Sequence, residues 1–551
     1  MILLCCALFC SVLIGWGVFF TRVLKTNLSV GLLNATAFSG LVMFYSFLFS
    51  IPHLTSLLLL GIGGFLFIFY VGNLIKKKQS LSNYQPELLT ILAYLTICGL
   101  CFAIAYGLRF RSIDDYSYWG TISKYLFVFN ALPNNDTYIN ASFLTYIPGM
   151  ASFHYLLYTL TQQYSQILGY FAQGLILIAA MMVFFDPRNI ARSVTHLSIW
   201  LILFTLSYGA IFARMEVDAY VAAYLFTITW LIYKKENSLS LCLPIVFLSI
   251  IKEIGLVFSI LALVLLVLVE RANRKILLHC VGTIALVFMT KLLWKFHVTS
   301  NHFHSFSHSV SLDSALSALN PFNTHYHVAQ WLYLKEIFFA RFDYLIKIPY
   351  LMLYLFIGGL WYWAVKNPLL NRARINTSMI VFAAFAVLYL LMLYFLQAIV
   401  FAVGYENKDI LGFHRYYNML FLPWLCLLIF SVLDAVKFPA LDSLSKPAGF
   451  IVVSLAAILL IGGKVERVRK FYQPHQLYQL YASIDAKAKQ LGINHWSVCL
   501  INPPTPAYQV SMPLSYFFMP NRILYPVDQK ELASCNLKLE WTNEKLWGVN
   551  V

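Results

Sequence analysis

Long apolar runs, separated by short polar segments, cover the chain from Met1 almost to Gly463. Each run of about 20 apolar residues is long enough to cross a bilayer as a helix. Residues 464–551 lack such runs and have a soluble composition. The pattern predicts an all-α polytopic membrane protein with about 14 transmembrane helices and a small C-terminal domain outside the bilayer.

The composition excludes a cytosolic globular fold. Of the 551 residues, 60% are hydrophobic and 11% are charged, whereas a soluble domain is about 25% charged. The net charge is +16, and lysine and arginine at the cytoplasmic ends of helices account for much of that surplus. We therefore expect membrane lipid around the chain and no nucleic-acid partner.

The basic residues also predict an orientation. Placing Lys76, Lys77 and Lys78 inside makes 54–75 an inward helix and 87–108 an outward one. Later basic groups stay cytoplasmic if the apolar stretch 147–160, too short for a full span, does not cross. This arrangement predicts a large first outer loop over residues 109–163. The expected domains are accessory transmembrane helices at 1–87, a catalytic transmembrane region at 88–463 and a small extracytoplasmic domain at 464–551.

The tail combines a helix-like segment at 475–490, a short apolar run at 496–501 and the proline-rich NPPTP at 502–506. Together they predict a small α/β domain. Cys499 and Cys535 are the two cysteines in this polar region. A disulfide between them is expected if the tail faces an oxidising compartment.

Three pairs of acidic residues fall on the predicted outer face. Ionisable groups at a membrane edge are costly and are therefore functional candidates. Neighbouring carboxylates suit general-base chemistry, since burial and repulsion raise the pKa of one of them, or they hold a divalent cation. The plainer alternative is that they solvate loop ends beside Arg109, Arg111 and Arg214. The pairs are Asp114 with Asp115, Glu216 with Asp218, and Glu406 with Asp409.

The second outer loop, residues 295–342, is rich in histidine. Its six histidines include two His-x-His pairs, which would face one side of a strand and suit zinc. With no cysteine beside them, a solvated loop is the simpler interpretation, and contact with an acceptor is a secondary one. The histidines are His297, His302, His304, His308, His325 and His327.

Four motifs in this order resemble the polytopic GT-C glycosyltransferases, which use lipid-linked sugars. RSIDDYSYWG with the YIPG turn at 146–149 is similar to their first outer loop, and ARMEVDAY to their second acidic motif. IIKEIGL at 250–256 and HRYYNMLFLPWLCLL at 414–428 resemble motifs of the aminoarabinose and protein-mannosyl transferase branch. The resemblance spans about residues 88–460.

The resemblance implies roles for individual residues. Asp114 or Asp115 would deprotonate the acceptor, and which of them does so stays open. Arg415, with His414 and Lys252, would bind the phosphate of a polyprenyl-phosphate sugar. The other candidates are the catalytic carboxylates Glu216 and Asp218 and the substrate-binding aromatics Tyr118 and Tyr416.

The predicted function is transfer of a sugar from a polyprenyl-phosphate donor to an extracytoplasmic acceptor, which is a glycan, a lipid or a protein, with inversion at the anomeric carbon. We expect no cofactor, with Mg²⁺ or Mn²⁺ as the alternative. The expected location is a bacterial inner membrane, with the site facing the periplasm. An O-antigen-type polymerase or ligase and a lipid or solute transporter are the competing hypotheses.

Overall fold

The computed structural model describes residues 1–76, 81–134, 139, 143–270, 273–303, 310–342, 347–400, 412–435, 486, 497–501, 512–513, 515–517, 519, 522–524, 537–543 and 546–550. Within them the chain is mainly α-helical. Eight helices are long and apolar enough to cross a membrane, and four shorter apolar helices accompany them. The protein is therefore an integral membrane protein. The count of 14 spans stays a prediction, because the expected exit at 450–463 lies outside the described residues.

The helices follow the apolar runs of the sequence. Those of the first half are α1 (Ile2–Leu24), α2 (Leu28–Leu48), α3 (Pro52–Lys76), α4 (Leu81–Ala105), α5 (Gly120–Phe129), α6 (Gly149–Thr161), α7 (Gln166–Met182), α8 (Ile190–Tyr208) and α9 (Asp218–Tyr233). Those of the second half are α10 (Ser238–Ile251), α11 (Gly255–Glu270), α12 (Arg274–Ser300), α13 (Leu312–Leu319), α14 (His327–Phe339), α15 (Tyr350–Lys366), α16 (Arg372–Phe395) and α17 (Phe413–Ala435).

Two π-helical turns and a 3₁₀ turn interrupt this pattern. The first π turn, Asp115–Trp119, leads into α5, and the second, Leu396–Val400, continues α16. The 3₁₀ turn, Ile211–Ala213, lies between α8 and α9. Departures from α geometry of this kind are frequent at functional sites.

The helix α2 lies at the centre of the bundle. It packs against α1, α6, α7 and α10, and 83% of its most apolar stretch is buried, against 22% for α3. The segment at 147–160 was expected not to cross the membrane. It forms α6, and nearly all of this helix is buried within the protein. Gly149 makes this packing close, since a Cβ there would stand 2.2 Å from the carbonyl oxygen of Ile250.

Asparagine residues begin five helices at one end of the bundle. Each accepts a hydrogen bond from a backbone N–H of the first turn, which satisfies a group that the helix itself leaves unpaired. These N-caps are Asn27, Asn189, Asn237, Asn273 and Asn371, for α2, α8, α10, α12 and α16.

The same end carries the basic groups that the sequence analysis assigned to the cytoplasm, and we call it the basic end. Arg192 and Lys234 both pair with Asp434, the latter at 2.6 Å. Arg374 donates to the carbonyl of Tyr233 at 3.0 Å. The 16 residues of α9 separate Lys234 from the opposite end of the bundle by about 24 Å.

The tail contains a four-stranded sheet. Its strands are β1 (Ser497–Ile501), β2 (Arg522–Leu524), β3 (Leu537–Asn543) and β4 (Leu546–Asn550), in the order β2-β1-β3-β4. Strand β1 is parallel to β2 and β3, whereas β4 is antiparallel to β3. Cys499 is disulfide-bonded, and its expected partner Cys535 lies outside the described residues, as does nearly all of the helix expected at 475–490.

Candidate active site

Predicted site residues from three distant parts of the sequence meet at the end of the bundle opposite the basic end. The Arg415 guanidinium lies 2.6 Å from an oxygen of Asp114, 3.4 Å from Glu216 and 3.2 Å from Asp218. We call this group the acidic mouth. Asp218 also pairs with Lys252 at 2.5 Å.

Two of these side chains lie at the N-terminal ends of helices. Asp218 is the first residue of α9, and Arg415 lies in the first turn of α17. The two helices pack against each other, and the contact between Asp218 and Arg415 brings their N-termini together. A helix N-terminus carries partial positive charge and unpaired N–H groups, which favour anions. The N-terminal ends of α9 and α17 therefore bring partial positive charge to the acidic mouth, where it favours the carboxylates.

Asp115 occupies a different environment from Asp114. Its side chain is fully buried, and its oxygens accept hydrogen bonds from the backbone N–H groups of Met215 at 3.0 Å, Arg111 at 3.1 Å and Ser112 at 3.0 Å. Burial raises the pKa of Asp115, and these donors oppose the rise. Asp115 thereby connects residues 111–115 to the 211–217 loop, and Asp114 is the member of the pair that contacts Arg415.

Glu216 has a raised pKa. Burial raises it to about 7, although the positive charges of Arg415 and Arg214 act to lower it. Arg214 lies 3.6 Å from it. Glu216 therefore changes charge in the physiological range of pH.

The aromatic candidates differ in position. The Tyr416 hydroxyl accepts a hydrogen bond from Arg415 at 3.2 Å, and Lys252 lies over its ring, 4.8 Å from the centroid. Tyr118 is buried and donates to the carbonyl of Tyr146, so it supports the wall of the site. The carbonyl of His414 accepts from Tyr350 at 3.4 Å.

A cavity of about 560 Å³ opens beside the acidic mouth. Its lining is mostly apolar and aromatic, and Lys252 and Glu253 add charge where it meets the mouth. Both π turns contribute to it, through Trp119 and through Leu396 and Val400. Such a cavity suits a ligand with a long apolar part and a small polar one.

Two charged residues of this region, Glu253 and Lys291, were not among the predicted site residues. Glu253 lines the cavity, and its Oε2 atom accepts a hydrogen bond from Lys291 at 3.0 Å. Lys291 lies in the apolar helix α12 with 12% of its side chain exposed. An ionisable residue inside an apolar run is itself a sequence signal. This signal would have identified Lys291.

Other candidates lie apart from the acidic mouth or outside the described residues. Glu406, Asp409, His304 and His308 are outside them. His297 bonds the carbonyl of Pro133 at 3.2 Å, and His327 that of Pro321. Within the described ranges, no group of three or more His, Cys, Asp or Glu side chains is arranged to hold a metal ion.

The chain matches no protein-family model, no curated protein and no solved structure.

Proposed function

We propose that this protein is a membrane glycosyltransferase that moves a sugar from a polyprenyl-phosphate donor to an extracytoplasmic acceptor. The observation that supports it most is the meeting of Asp114 and Arg415, 301 residues apart in sequence and 2.6 Å apart in space, at the mouth of an apolar cavity. A carboxylate for the acceptor, cations for the phosphate and an apolar space for the lipid are the parts that this reaction requires.

Arg415 and Lys252 are the proposed phosphate ligands. The planar guanidinium binds two phosphate oxygens at once, and the ammonium of Lys252 adds a point charge. As the glycosyl–phosphate bond breaks, negative charge grows on the leaving oxygen, and fixed cations aimed at that oxygen lower the barrier. Donor binding replaces carboxylate contacts of Arg415 with phosphate contacts, which frees Asp114.

Asp114 is the proposed base. One-third of its side chain is exposed, whereas Asp115 is buried and occupied by backbone donors. Asp114 takes the proton of an acceptor hydroxyl, and the acceptor oxygen forms a bond to the anomeric carbon from the face opposite the phosphate. The bond to the phosphate oxygen breaks with its electron pair, and polyprenyl phosphate leaves. The sugar is inverted, and the leaving group needs no proton.

The polyprenyl chain is assigned to the apolar cavity, and the acceptor to the mouth. We place the acidic mouth on the periplasmic face of a bacterial inner membrane, because the positive-inside rule assigns the basic end to the cytoplasm. The disulfide at Cys499 fits a tail in an oxidising compartment. The full count of 14 helices and an extracytoplasmic α/β tail belong to the same proposal, and no cofactor is included in it.

The break between α10 and α11 bears on the transporter alternative. Transporters bind their substrate near the middle of the bilayer, at interrupted helices. Lys252 and Glu253 instead lie on a turn at the acidic mouth, where α10 ends and α11 begins. This position favours chemistry at the membrane surface.

The test uses membranes that contain the protein and radiolabelled undecaprenyl-phosphate-linked hexoses and pentoses. Asp114→Asn should reduce transfer of label by about 10²- to 10⁴-fold, and Arg415→Lys by about 10²- to 10³-fold, each at normal abundance. Asp313→Asn, an exposed change on α13, is the matched control and should retain activity. Full activity of Asp114→Asn rejects the proposal, and transfer from diphosphate-linked oligosaccharides alone replaces it with the polymerase or ligase.

A further inference from the structure

The turn between α10 and α11 presents two opposite charges to the cavity. Lys252 and Glu253 both line it, and each has its own partner: Lys252 pairs with Asp218 at 2.5 Å and Glu253 with Lys291 at 3.0 Å. The two partners belong to different helices, so the turn is held from both sides. The proposed function uses Lys252 and gives Glu253 no part.

Glu253 is fixed in position yet accessible. Half of its side chain is exposed, whereas Lys291 is 12% exposed. Because a buried ammonium is costly without a partner, the ion pair with Lys291 holds the Glu253 carboxylate in position. Among the described residues, the Oε2 atom of Glu253 accepts a hydrogen bond from Lys291, and its Oε1 atom accepts none. A carboxylate with one oxygen anchored and the other available is a directed acceptor for hydroxyl or ammonium groups.

The two charges suit one kind of ligand. Lys252 and Glu253 line the same cavity, so a donor whose phosphate is bound at Lys252 has its sugar in the space that Glu253 lines. Trp119, Tyr146 and Tyr416 line the same cavity and offer apolar faces for the C–H surface of a sugar ring. A cavity of this kind uses few polar groups to fix the orientation of its ligand.

We propose that Glu253, directed by Lys291, binds the ring hydroxyl or amino groups of the donor sugar and thereby selects which sugar is transferred. This inference rests on the proposed function and adds to it a specificity residue. Lys291 is a positioning residue, since it acts through Glu253. No bond is made or broken at either side chain.

The experiment measures binding to the purified full-length protein in nanodiscs. The probes are undecaprenyl phosphate and a panel of undecaprenyl-phosphate-linked hexoses and pentoses. The wild-type protein should bind at least one glycosylated lipid more tightly than undecaprenyl phosphate. Glu253→Gln should weaken binding of that lipid by about 10- to 100-fold, the expected effect of losing a charge-assisted hydrogen bond, and leave binding of undecaprenyl phosphate within about threefold.

A second set of variants separates recognition from folding, since Glu253→Gln leaves the Lys291 ammonium without its partner. In the double variant Glu253→Gln with Lys291→Met, that buried charge is gone, and the thermal midpoint should return toward the wild-type value while sugar preference stays lost. Glu270→Gln, at the far end of α11, is the matched control and should keep the preference. A double variant that regains the preference overturns the inference, as does a wild-type protein without any preference.

The binding result is independent of transfer. If Asp114→Asn abolishes transfer and Glu253→Gln keeps its sugar preference, the proposed function stands and the inference on Glu253 is wrong. If Asp114→Asn is fully active, the proposed function itself is rejected.

Discussion

Asp114 and Asp115 are adjacent in sequence and differ in every property that matters for chemistry. Asp114 is partly exposed and contacts a guanidinium, whereas Asp115 is buried and accepts backbone hydrogen bonds from two loops. The sequence made both residues candidates for the base but left open which of them it is, because their environments depend on the approach of Met215, 100 residues away. A contact of that range has no local signature in the chain.

Asp115→Asn should destabilise the protein. An asparagine side chain has one oxygen acceptor, and its amide donates, so backbone N–H groups that Asp115 satisfies lose their partners. Unsatisfied buried donors cost about 1–3 kcal/mol each, and we expect a lower thermal midpoint in detergent and reduced abundance. Asp114→Asn should melt like the wild-type protein, and an Asp115→Asn protein of normal stability would contradict this assignment.

Glu216 should make donor binding depend on pH. Its pKa of about 7 lies above its ordinary value because it is buried, so it is mainly protonated below pH 7 and ionised above. The ionised form competes with the donor phosphate for Arg415. The donor KM should therefore rise several-fold between pH 6 and pH 8.

Glu216→Gln is the matched variant for this effect, since it retains the shape of the side chain without the charge. Its donor KM should stay near the low-pH wild-type value throughout that interval. The measurement is donor KM against pH for both proteins. Parallel profiles would show that Glu216 does not compete with the donor.

Among the elements, the tail makes an unexpected contact through Tyr516 with the region around Phe110, with α5 and with the start of α7. The Tyr516 hydroxyl lies 3.0 Å from that of Tyr164 and accepts from Gln166 at 2.9 Å. Its ring packs on Phe110, and Lys124 donates to its carbonyl at 2.6 Å. The tail segment around Tyr516 is thereby fastened beside the loop that carries Asp114, at the end opposite Asp434.

The docking of this segment should strengthen as the pH rises above 7. Burial lowers the pKa of Lys124 to about 7, whereas the exposed side chain of an undocked state titrates near its ordinary value of about 10.4. Between these values the undocked state binds more protons, so a rise in pH favours docking. Limited proteolysis of the tail should be slower at pH 8.5 than at pH 6.5.

Lys124→Met removes the titrating group and keeps a side chain of similar length. The variant should show equal cleavage rates at the two pH values after correction for the activity of the protease. Tyr516→Ala should raise cleavage at both. A pH dependence that persists in Lys124→Met would assign the effect to another group.

The elements that the sequence predicted well are those with long apolar runs. The break at Lys252–Gly255 also has a signal in the sequence, because charge interrupts an apolar stretch there. Helices α13 and α14 were not predicted within residues 295–342. Helix α13 is amphipathic but has only eight residues, and α14 has hydrophobic residues on all sides, so it has no clear periodicity. The π turns were missed as well, since an extra residue in one turn does not change the composition.

At the scale of the whole molecule, the charges divide between two ends. Arg192 and Lys234 meet Asp434 at the basic end, and Arg415 meets three carboxylates at the acidic mouth. This division of charge was predictable, because lysine and arginine positions set orientation in a membrane. The convergence of side chains at the acidic mouth depends on helix packing. The sequence motifs predicted only that these residues lie on the same side of the membrane.

Labelling of single cysteines should place the two ends on opposite faces of the membrane. Arg188→Cys at the basic end and Asp313→Cys on α13 are both exposed positions. In intact spheroplasts of a bacterial host, a membrane-impermeant maleimide should label position 313 and reach position 188 after lysis alone. Labelling of both in intact cells would refute the orientation.

The π turns also give the cavity a property that an α-helical wall would lack. Each π turn holds one residue more than an α turn, so deleting one residue from it restores α-helical pairing and leaves the residues on either side of the turn in register. In the Asp115–Trp119 turn, the deletion of Ser117 would therefore be absorbed within the turn, and α5 beyond it would keep its packing. A single-residue deletion would thus reshape the wall of the cavity without rotating the helix that follows.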